Sequence, residues 1–228
     1  YQGKIMEKEI DELNSLISNP KQPFTVVLGG SKISDKINMI ENLLPKVDNL
    51  ILGGGMCFTF LKSEGYNIGN SLCENDYIEK AKQLINSQYG TKIHLPFDFG
   101  VTDSITNDKR KDVMITEFSN NDIGIDISYE SIEKFTKILK NSNTIFWNGP
   151  MGIFENKNYS FGTKSIAEVI ANSEAYSVVG GGDSVSSINM FTDITKFNHV
   201  STGGGASIEF LEGKDLPGVN IYKQLIIE

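Results

Sequence analysis

The sequence contains few cysteines and histidines, and their scarcity excludes several kinds of active site. Among 228 residues there are two cysteines, Cys57 and Cys73, and two histidines, His94 and His199. Two cysteines build neither a disulfide framework nor a zinc cluster, which favours a reducing compartment, and we expect the cytoplasm. Two histidines argue against a histidine-based metal site or catalytic triad, so we predict structural roles for both.

Long apolar runs and an excess of positive charge are also missing. No run approaches the roughly 18 apolar residues of a membrane span, and the charged residues 1–10 lack a signal-peptide core, so we expect no membrane partner. The formal net charge of −8 argues against a nucleic-acid partner. An anionic small ligand remains open, because local lysines and backbone N–H groups can outweigh distant acids. Nothing in the sequence indicates an oligomer, and we expect a monomer.

What the sequence does contain is a recurring unit of apolar run, glycine turn and helix-like stretch. The apolar runs are 24–28, 50–52, 144–147, 176–179 and 199–200, and the glycine turns after them are 29–30, 53–55, 148–150, 180–182 and 203–205. Apolar strands that alternate with helices indicate a parallel sheet buried on both faces. We therefore predict an α/β fold with a doubly wound, mostly parallel sheet and helices on both faces, a Rossmann-like three-layer sandwich.

Two other stretches complete the predicted layout. Residues 6–17 have the apolar spacing of a helix, which Pro20 and Pro23 end. Residues 96–126 are the least regular part, where we expect loops, and we predict short strands at 92–95, directly before this part, and at 113–116 within it. Since no proline-rich or serine-rich linker divides the chain, we predict one domain over residues 1–228.

The glycine turns predict an anion-binding site at the carboxyl edge of the sheet. Glycine lets backbone N–H groups approach a ligand without a Cβ in the way, and a helix N-terminus behind the turn adds about half a positive charge. Close packing explains a single glycine pair equally well, but five such turns favour phosphate or nucleotide binding. The absence of G-x-G-x-x-G disfavours a dinucleotide oxidoreductase, and the absence of G-x-x-x-x-G-K-[ST] excludes a P-loop NTPase.

Two of these turns carry charged residues. Lys32 and Lys36 are four residues apart, so on a helix they share a face near its N-terminus, where positive charge opposes the helix dipole. That placement favours a bound anion, although a solvated lysine pair is the alternative. Asp183 and Ser184 follow the turn 180–182, and a carboxylate beside phosphates suits Mg²⁺. A helix N-cap formed by Asp183 explains the same pattern.

Taken in order, these motifs resemble those of phosphoglycerate kinases. The matching segments are residues 29–37, 53–56, 146–155, 180–184, 201–207 and 211–219. The resemblance covers nearly the whole chain. It implies reversible phosphoryl transfer from 1,3-bisphosphoglycerate to ADP, which gives 3-phosphoglycerate and ATP in glycolysis.

The resemblance extends only to the C-terminal, nucleotide-binding lobe of that family. Residues 1–20 resemble the helix that connects the two lobes. The N-terminal lobe, which binds the glycerate substrate and carries the family's catalytic arginine, has no counterpart in this sequence. A polypeptide of these 228 residues is therefore expected to bind Mg²⁺ and ADP or ATP without significant turnover.

The resemblance also implies roles for individual residues. Lys36 would contact the transferring phosphate, Lys32 would be a second phosphate-neutralising lysine, and Asp183 would bind Mg²⁺. Gly182 and Gly205 would lie at the transfer site, and Glu155 would bind the ribose. The nucleotide-binding residues that it implies are Gly30, Ser31, Lys36, Gly53, Gly54, Leu72, Gly124, Ile125, Asn148, Pro150, Glu155, Gly181, Gly182, Asp183 and Ser184.

Three departures from the family pattern concern the adenine pocket. Ser128 and Tyr129 replace a usual Gly-Pro pair, Asp122 replaces a common tryptophan, and Ile105 replaces a frequent phenylalanine. They leave the details of that pocket open but not the phosphate chemistry. Two other functions remain to be weighed: a stand-alone nucleotide-binding module without turnover and, less favoured, a dinucleotide oxidoreductase.

Overall fold

A six-stranded parallel sheet forms the centre of the protein in a computed structural model, which describes residue 13 and the ranges 16–201 and 209–214. Within these residues the strands are β1 (Phe24–Leu28), β2 (Asn49–Leu52), β3 (Ile93–His94), β4 (Asp98–Thr102), β5 (Lys111–Met114), β6 (Ile123–Ile127), β7 (Thr144–Asn148), β8 (Tyr176–Gly180) and β9 (His199–Val200). The central sheet has the order β3-β2-β1-β7-β8-β9, and each neighbouring pair is parallel. The chain winds outward in both directions from β1 and β7, which confirms the predicted doubly wound fold.

Helices and apolar side chains cover the two faces of this sheet. The helices are α1 (Ile37–Leu43), α2 (Cys57–Ser63), α3 (Ile78–Ile85), α4 (Tyr129–Lys140), α5 (Phe161–Ala171) and α6 (Gly182–Phe191), with 3-10 turns at Asn75–Tyr77, Gly90–Lys92, Ile115–Glu117 and Ile194–Lys196. Successive side chains of a strand point to opposite faces, so Val27 joins one hydrophobic cluster and Val26 the other. Both faces are therefore buried, which is why the strands are continuously apolar.

A second, three-stranded antiparallel sheet is the main feature that the sequence did not predict. Its order is β5-β4-β6, and it occupies the stretch expected to hold loops and short strands. The predicted strand at 113–116 lies instead at 111–114, and the one at 92–95 is reduced to Ile93–His94. The small sheet packs onto α2 through Phe58, Phe99 and Phe118, whose ring centroids lie 4.9–6.0 Å apart.

The segment after β1 differs from the predicted strand–glycine–helix pattern. Helix α1 begins at Ile37 with Lys36 at its N-cap, so Lys32 lies in the preceding turn and not on the helix. The expectation that the two lysines share one helix face is therefore wrong. The turn closes on itself instead, because the amide nitrogens of Lys36 and Ile37 both donate to the Ile33 carbonyl, at 2.9 and 2.8 Å.

The predicted first helix lies mostly outside the described residues. Leu13 and residues 16–18 are helical, and Leu13 and Leu16 are buried. None of the helices in the described ranges has the length and apolar character that a transmembrane span requires.

Candidate functional site

A cavity of about 500 Å³ opens at the carboxyl ends of β1, β2 and β7, and the small sheet closes its far side. This is the switch point of the doubly wound sheet, where the strand order reverses and where ligands bind in such folds. The residues predicted to bind nucleotide that line the cavity are Gly30, Ser31, Gly54, Leu72, Gly124, Ile125, Pro150, Glu155 and Asp183. The fold thus brings together residues that lie up to 153 positions apart in the sequence.

One end of the cavity is an apolar slot. Phe58 and Phe99 are buried core residues that also form its wall. Gly124 lies so close to Phe58 that an added Cβ would stand 1.9 Å from the ring, so only glycine leaves the wall flat. Leu72 and Ile105 flank the slot and are 59% and 56% exposed. Sequence reasoning missed Phe58 and Phe99, because their apolar spacing is that of ordinary core residues.

The turns after β1, β2 and β7 interlock through their own backbones. The amide nitrogen of Gly29 donates to the Asn148 carbonyl at 2.9 Å, that of Gly30 to Pro150 at 3.0 Å, and that of Gly54 to Met151 at 3.0 Å. At Gly29 an added Cβ would lie 2.0 Å from the Pro150 oxygen. Close packing therefore explains Gly29 and Gly54, whereas Gly30 has a φ of +115° and, among the described residues, only the Lys36 side chain within 4 Å of an added Cβ. The amides of all three glycines donate to carbonyls and are not free to bind phosphate, and Gly30 and Gly54 line the cavity.

The turn after β8 is different, because its last glycine, Gly182, faces open space. Gly181 is the N-cap of α6 with a φ of +90°, and no side chain caps this helix. The alternative in which Asp183 is the N-cap is therefore wrong: Asp183 lies in the first helical turn and is exposed. An added Cβ at Gly182 would have no described atom within 4 Å. First-turn N–H groups lack partners within a helix, so they are available to an anion.

Gly149 connects the turn after β7 to helix α6. Its N–H donates to the hydroxyl of Ser184 at 2.6 Å, and its carbonyl accepts from the indole N–H of Trp147 at 2.8 Å. Ser184 and Trp147 are both fully buried. The hydroxyl of Ser184, which the resemblance implies is a nucleotide-binding residue, is thus engaged inside the protein.

Lys36 points toward the same turn as Asp183. Its ammonium donates to Oδ1 of the buried Asn148, whose Nδ2 donates to the Gly180 carbonyl at 2.8 Å. Burial lowers the pKa of Lys36, while the negative charges of Asp35 and Asp183 partly offset that effect. The charges of Lys36 and Asp183 therefore attract each other at one end of the cavity.

The remaining predicted residues lie away from the cavity wall or outside the described ranges. Lys32 is exposed on the turn before α1, and Gly53 is buried behind Met151. Gly205 belongs to residues 202–208, which the structure does not describe, so its predicted place at the transfer site lies outside the described residues.

Comparison with known proteins places this chain in a family. The family model for phosphoglycerate kinase matches residues 1–214. A phosphoglycerate kinase from Rhodococcus jostii is 47% identical over 228 residues, which covers 98% of this chain and 56% of the relative. One from Clostridium botulinum is 46% identical over 222 residues, covering 95% of this chain and 55% of the relative. The chain belongs to the phosphoglycerate kinase family.

Solved structures of phosphoglycerate kinases have the same fold. The enzyme from Coxiella burnetii superposes with a TM-score of 0.93 at 41% identity over 96% of this chain and 57% of that chain. The enzyme from Pyrococcus horikoshii gives a TM-score of 0.83 at 31% identity over 96% and 56%. This chain therefore spans little more than half the length of the phosphoglycerate kinases that it matches.

Proposed function

We propose that this chain is the nucleotide-binding lobe of a phosphoglycerate kinase, which transfers a phosphoryl group between 1,3-bisphosphoglycerate and ADP in glycolysis. The observation that carries the proposal is the two-ended cavity at the sheet's switch point. One end is an apolar slot, and the other has Asp183, in the first turn of α6, on its wall. Lys36 lies outside this wall, close enough for the charge of Asp183 to affect its pKa. A nucleotide has the same two-part chemistry, a flat apolar base and an anionic phosphate chain.

The layout of the walls suggests how ADP or ATP binds. The base enters the slot between Gly124 and Leu72, where the side-chain contacts are apolar. The polar edge of the base is then left to form hydrogen bonds with backbone groups. The exposed carboxylate of Glu155, on the same wall, accepts a hydrogen bond from the ribose. The phosphates then reach the amides at Gly182 and the ammonium of Lys36.

Mg²⁺ fits this site as a companion of the nucleotide. Magnesium usually binds one or two carboxylates and completes its shell with phosphate oxygens and water. Asp183 offers one exposed carboxylate on the cavity wall. In the described ranges no group of three or more His, Cys, Asp or Glu side chains is placed to hold a metal alone. When bound, the ion would neutralise charge on the phosphate oxygens.

The chain's own residues supply one side of an in-line phosphoryl transfer. Such a transfer needs positioning and positive charge more than covalent chemistry, and Lys36 supplies positive charge at this end, with Lys32 exposed on the turn that precedes it. The acceptor site and the opposing arginine belong, in the family, to the lobe that this sequence does not match. We therefore propose that the 228-residue polypeptide by itself is a monomeric binder without significant turnover.

Calorimetric titration of the 228-residue polypeptide with ADP, in the presence and absence of Mg²⁺, tests nucleotide binding. NAD serves as the control ligand, and stronger binding of NAD would favour the oxidoreductase alternative. A coupled assay of ATP formation from 1,3-bisphosphoglycerate then tests turnover, which we expect near background. Loss of one preorganised charge donor typically costs about 10²–10³ in rate. Turnover at the rate of a complete kinase would contradict the proposal that part of the catalytic apparatus belongs to the other lobe.

The stand-alone module is the second candidate function. The intact mass of the native protein separates it from the kinase lobe, since a native chain of 228 residues would favour the module. A native chain of the length of the matched relatives, to which this segment contributes about 56%, would favour the kinase.

A further inference from the structure

Segment 70–74 crosses the mouth of the cavity and is anchored first to the small sheet. The amide nitrogen of Asn70 donates to the Asp122 carbonyl at 2.8 Å, and the amide nitrogen of Gly124 donates to the Ser71 hydroxyl at 2.8 Å. Leu72 follows directly and lines the apolar slot. This end of the segment is therefore fixed to β6.

The other end of the segment is anchored to the turn after β1 through Glu74. Its Oε1 accepts a hydrogen bond of 2.6 Å from the Ser34 hydroxyl, and its Oε2 accepts one of 3.0 Å from the Ser34 amide. The Ile33 amide donates to the same carboxylate. The Glu74 backbone is held as well, because its N–H donates to the buried Thr59 hydroxyl at 3.1 Å.

The carboxylate of Glu74 is kept in its charged form. Partial burial by itself raises the pKa of Glu74, but the hydrogen bonds from Ser34 and Ile33 and the charge of Lys32 outweigh this effect, so the pKa lies below its ordinary value. The amides of Ile33 and Ser34 therefore hold an anion that belongs to the protein itself. Hydrogen bonds to a charged acceptor are roughly twice as strong as neutral ones.

The position of Ser34 gives this anchor its importance. Three residues before it, Ser31 lines the cavity, and two residues after it, Lys36 forms the N-cap of α1. The amide nitrogen of Lys36 also donates to the Ile33 carbonyl at 2.9 Å. Whatever fixes Ile33 and Ser34 therefore fixes the backbone from which the Lys36 side chain reaches Asn148.

We infer that Glu74 is a positioning residue for the phosphate end of the cavity. Through Ser34 it sets the turn 31–36 and thereby Lys36, while its own segment holds Leu72 over the slot at the opposite end. Glu74 is not among the residues that line the cavity, so it acts only through these neighbours. The inference rests on the proposed nucleotide-binding function.

A positioning role and a merely structural role have different consequences for two ligands. Adenosine has the base and ribose of ADP but no phosphate, so it does not use Lys36. Loss of positioning at Lys36 weakens ADP more than adenosine, whereas general loosening of the site weakens both alike. The ratio of the two dissociation constants is therefore the diagnostic quantity.

The test is calorimetric titration of the 228-residue polypeptide and its Glu74→Gln variant with ADP and with adenosine. Glutamine keeps the shape but replaces one accepting oxygen with a donor nitrogen, which then faces a donor of Ser34. We expect ADP affinity to fall about tenfold, because a hydrogen bond to a charged group is worth roughly that much. Adenosine affinity should change less than about threefold. Glu79→Gln, an exposed position on α3, makes the same charge change and should bind ADP normally.

Ser34→Ala provides a milder second variant, because it removes the hydroxyl and keeps the amide that donates to Glu74. We expect a smaller loss of ADP affinity, and no further loss when Ser34→Ala is added to Glu74→Gln, since contacts shared by two residues are not additive. Amide hydrogen exchange without ligand checks the anchor directly. Exchange at Ser34 should be faster in Glu74→Gln than in the unchanged chain.

Three results would overturn the inference. Equal losses for ADP and adenosine would assign Glu74 a structural role only. Unchanged ADP affinity in a folded Glu74→Gln variant would show that Glu74 has no role at the site. Unchanged amide exchange at Ser34 would show that Glu74 does not anchor the turn. If the unchanged polypeptide bound neither ADP nor adenosine, the proposed function would fail, and the inference with it.

Discussion

Arg110 donates a hydrogen bond of 2.9 Å to the buried carboxylate of Asp126, at the wall of the cavity. The accepting atom, Oδ2, also receives the N–H of Gly162 at 2.6 Å. The second oxygen, Oδ1, is buried and has no hydrogen-bond partner among the described residues. Burial raises the pKa of Asp126 to about 7, although the Gly162 amide and the charge of Arg110 oppose it.

This relationship predicts how stability depends on pH. The native carboxyl keeps its proton up to about pH 7, whereas an unfolded aspartate releases it near pH ~4. The native state therefore binds more protons across this interval, and the Asp126 contribution to the free energy of unfolding falls as pH rises from about 4 to about 7. Asp126→Asn removes the titrating group, so its unfolding free energy should fall less over the interval.

Urea unfolding at several pH values between 4 and 8 measures this difference. Asp76→Asn, at an exposed position, is the matched control and should follow the unchanged chain. Parallel curves for Asp126→Asn and the unchanged chain would show that Asp126 does not titrate in this interval.

The second prediction concerns the metal. Asp183→Ala should weaken binding of Mg²⁺-ATP by about tenfold, or ~1.4 kcal/mol, and should affect metal-free ATP far less. The reason is that a carboxylate next to phosphates attracts Mg²⁺ but repels the phosphates themselves. Titrations with Mg²⁺ and with a chelator measure both. Glu174→Ala, at an exposed position after α5, is the control, and an equal loss in both titrations would argue against metal binding by Asp183.

The third prediction concerns the ribose. Glu155 is exposed on the cavity wall, and a site built around a hydroxyl discriminates against analogues that lack it. Glu155→Ala should therefore reduce the preference for ADP over 2′- and 3′-deoxy-ADP by about tenfold, the value of a hydrogen bond to a charged acceptor. Competition binding gives the preference directly. Glu155→Gln, which keeps an accepting oxygen, should retain part of it, and a preference that survives in the alanine variant would rule out this role.

The fourth prediction concerns the bond between Gly149 and Ser184. Ser184→Ala leaves a buried N–H without a partner, which typically costs about 1–3 kcal/mol of the free energy of unfolding. Ser186→Ala, on the exposed side of the same helix, should stay within about 0.5 kcal/mol of the unchanged chain. Chemical denaturation of both variants provides the comparison. Similar stabilities would mean that the Gly149 amide finds another partner.

The parallel sheet could be predicted from the sequence because its signal is local. Runs such as 24–28 and 144–147 are continuously apolar and meet glycine, and the structure has strands at both. The small sheet gave no such signal. Its strand β4 contains Asp98 and Gly100, and both residue types are depleted in strands. Asp98 is stabilised in the strand by residues far away in the sequence, because its carboxylate accepts hydrogen bonds from the amides of Glu130 and Ser131.

The candidate site shows the same division between local and distant information. The glycine motifs located its walls, but not which amides face a ligand, since Gly29, Gly30 and Gly54 donate to carbonyls of other turns. The spacing of Lys32 and Lys36 predicts a helix start, whereas the structure has a turn at 31–36 that is anchored by Glu74, 40 residues away from Ser34. No helical periodicity carries that information.

Trp147 is the only tryptophan in the sequence, and its indole donates to Gly149 in the turn after β7, which is hydrogen-bonded to helix α6 through Ser184. Excitation that is selective for tryptophan over the eight tyrosines therefore reports on one indole, which lies beside the candidate phosphate end and is shielded from water. Its emission spectrum should shift to longer wavelength if solvent reaches the indole when that turn opens. The fluorescence emission of the unlabelled protein should therefore show whether the turn after β7 is intact.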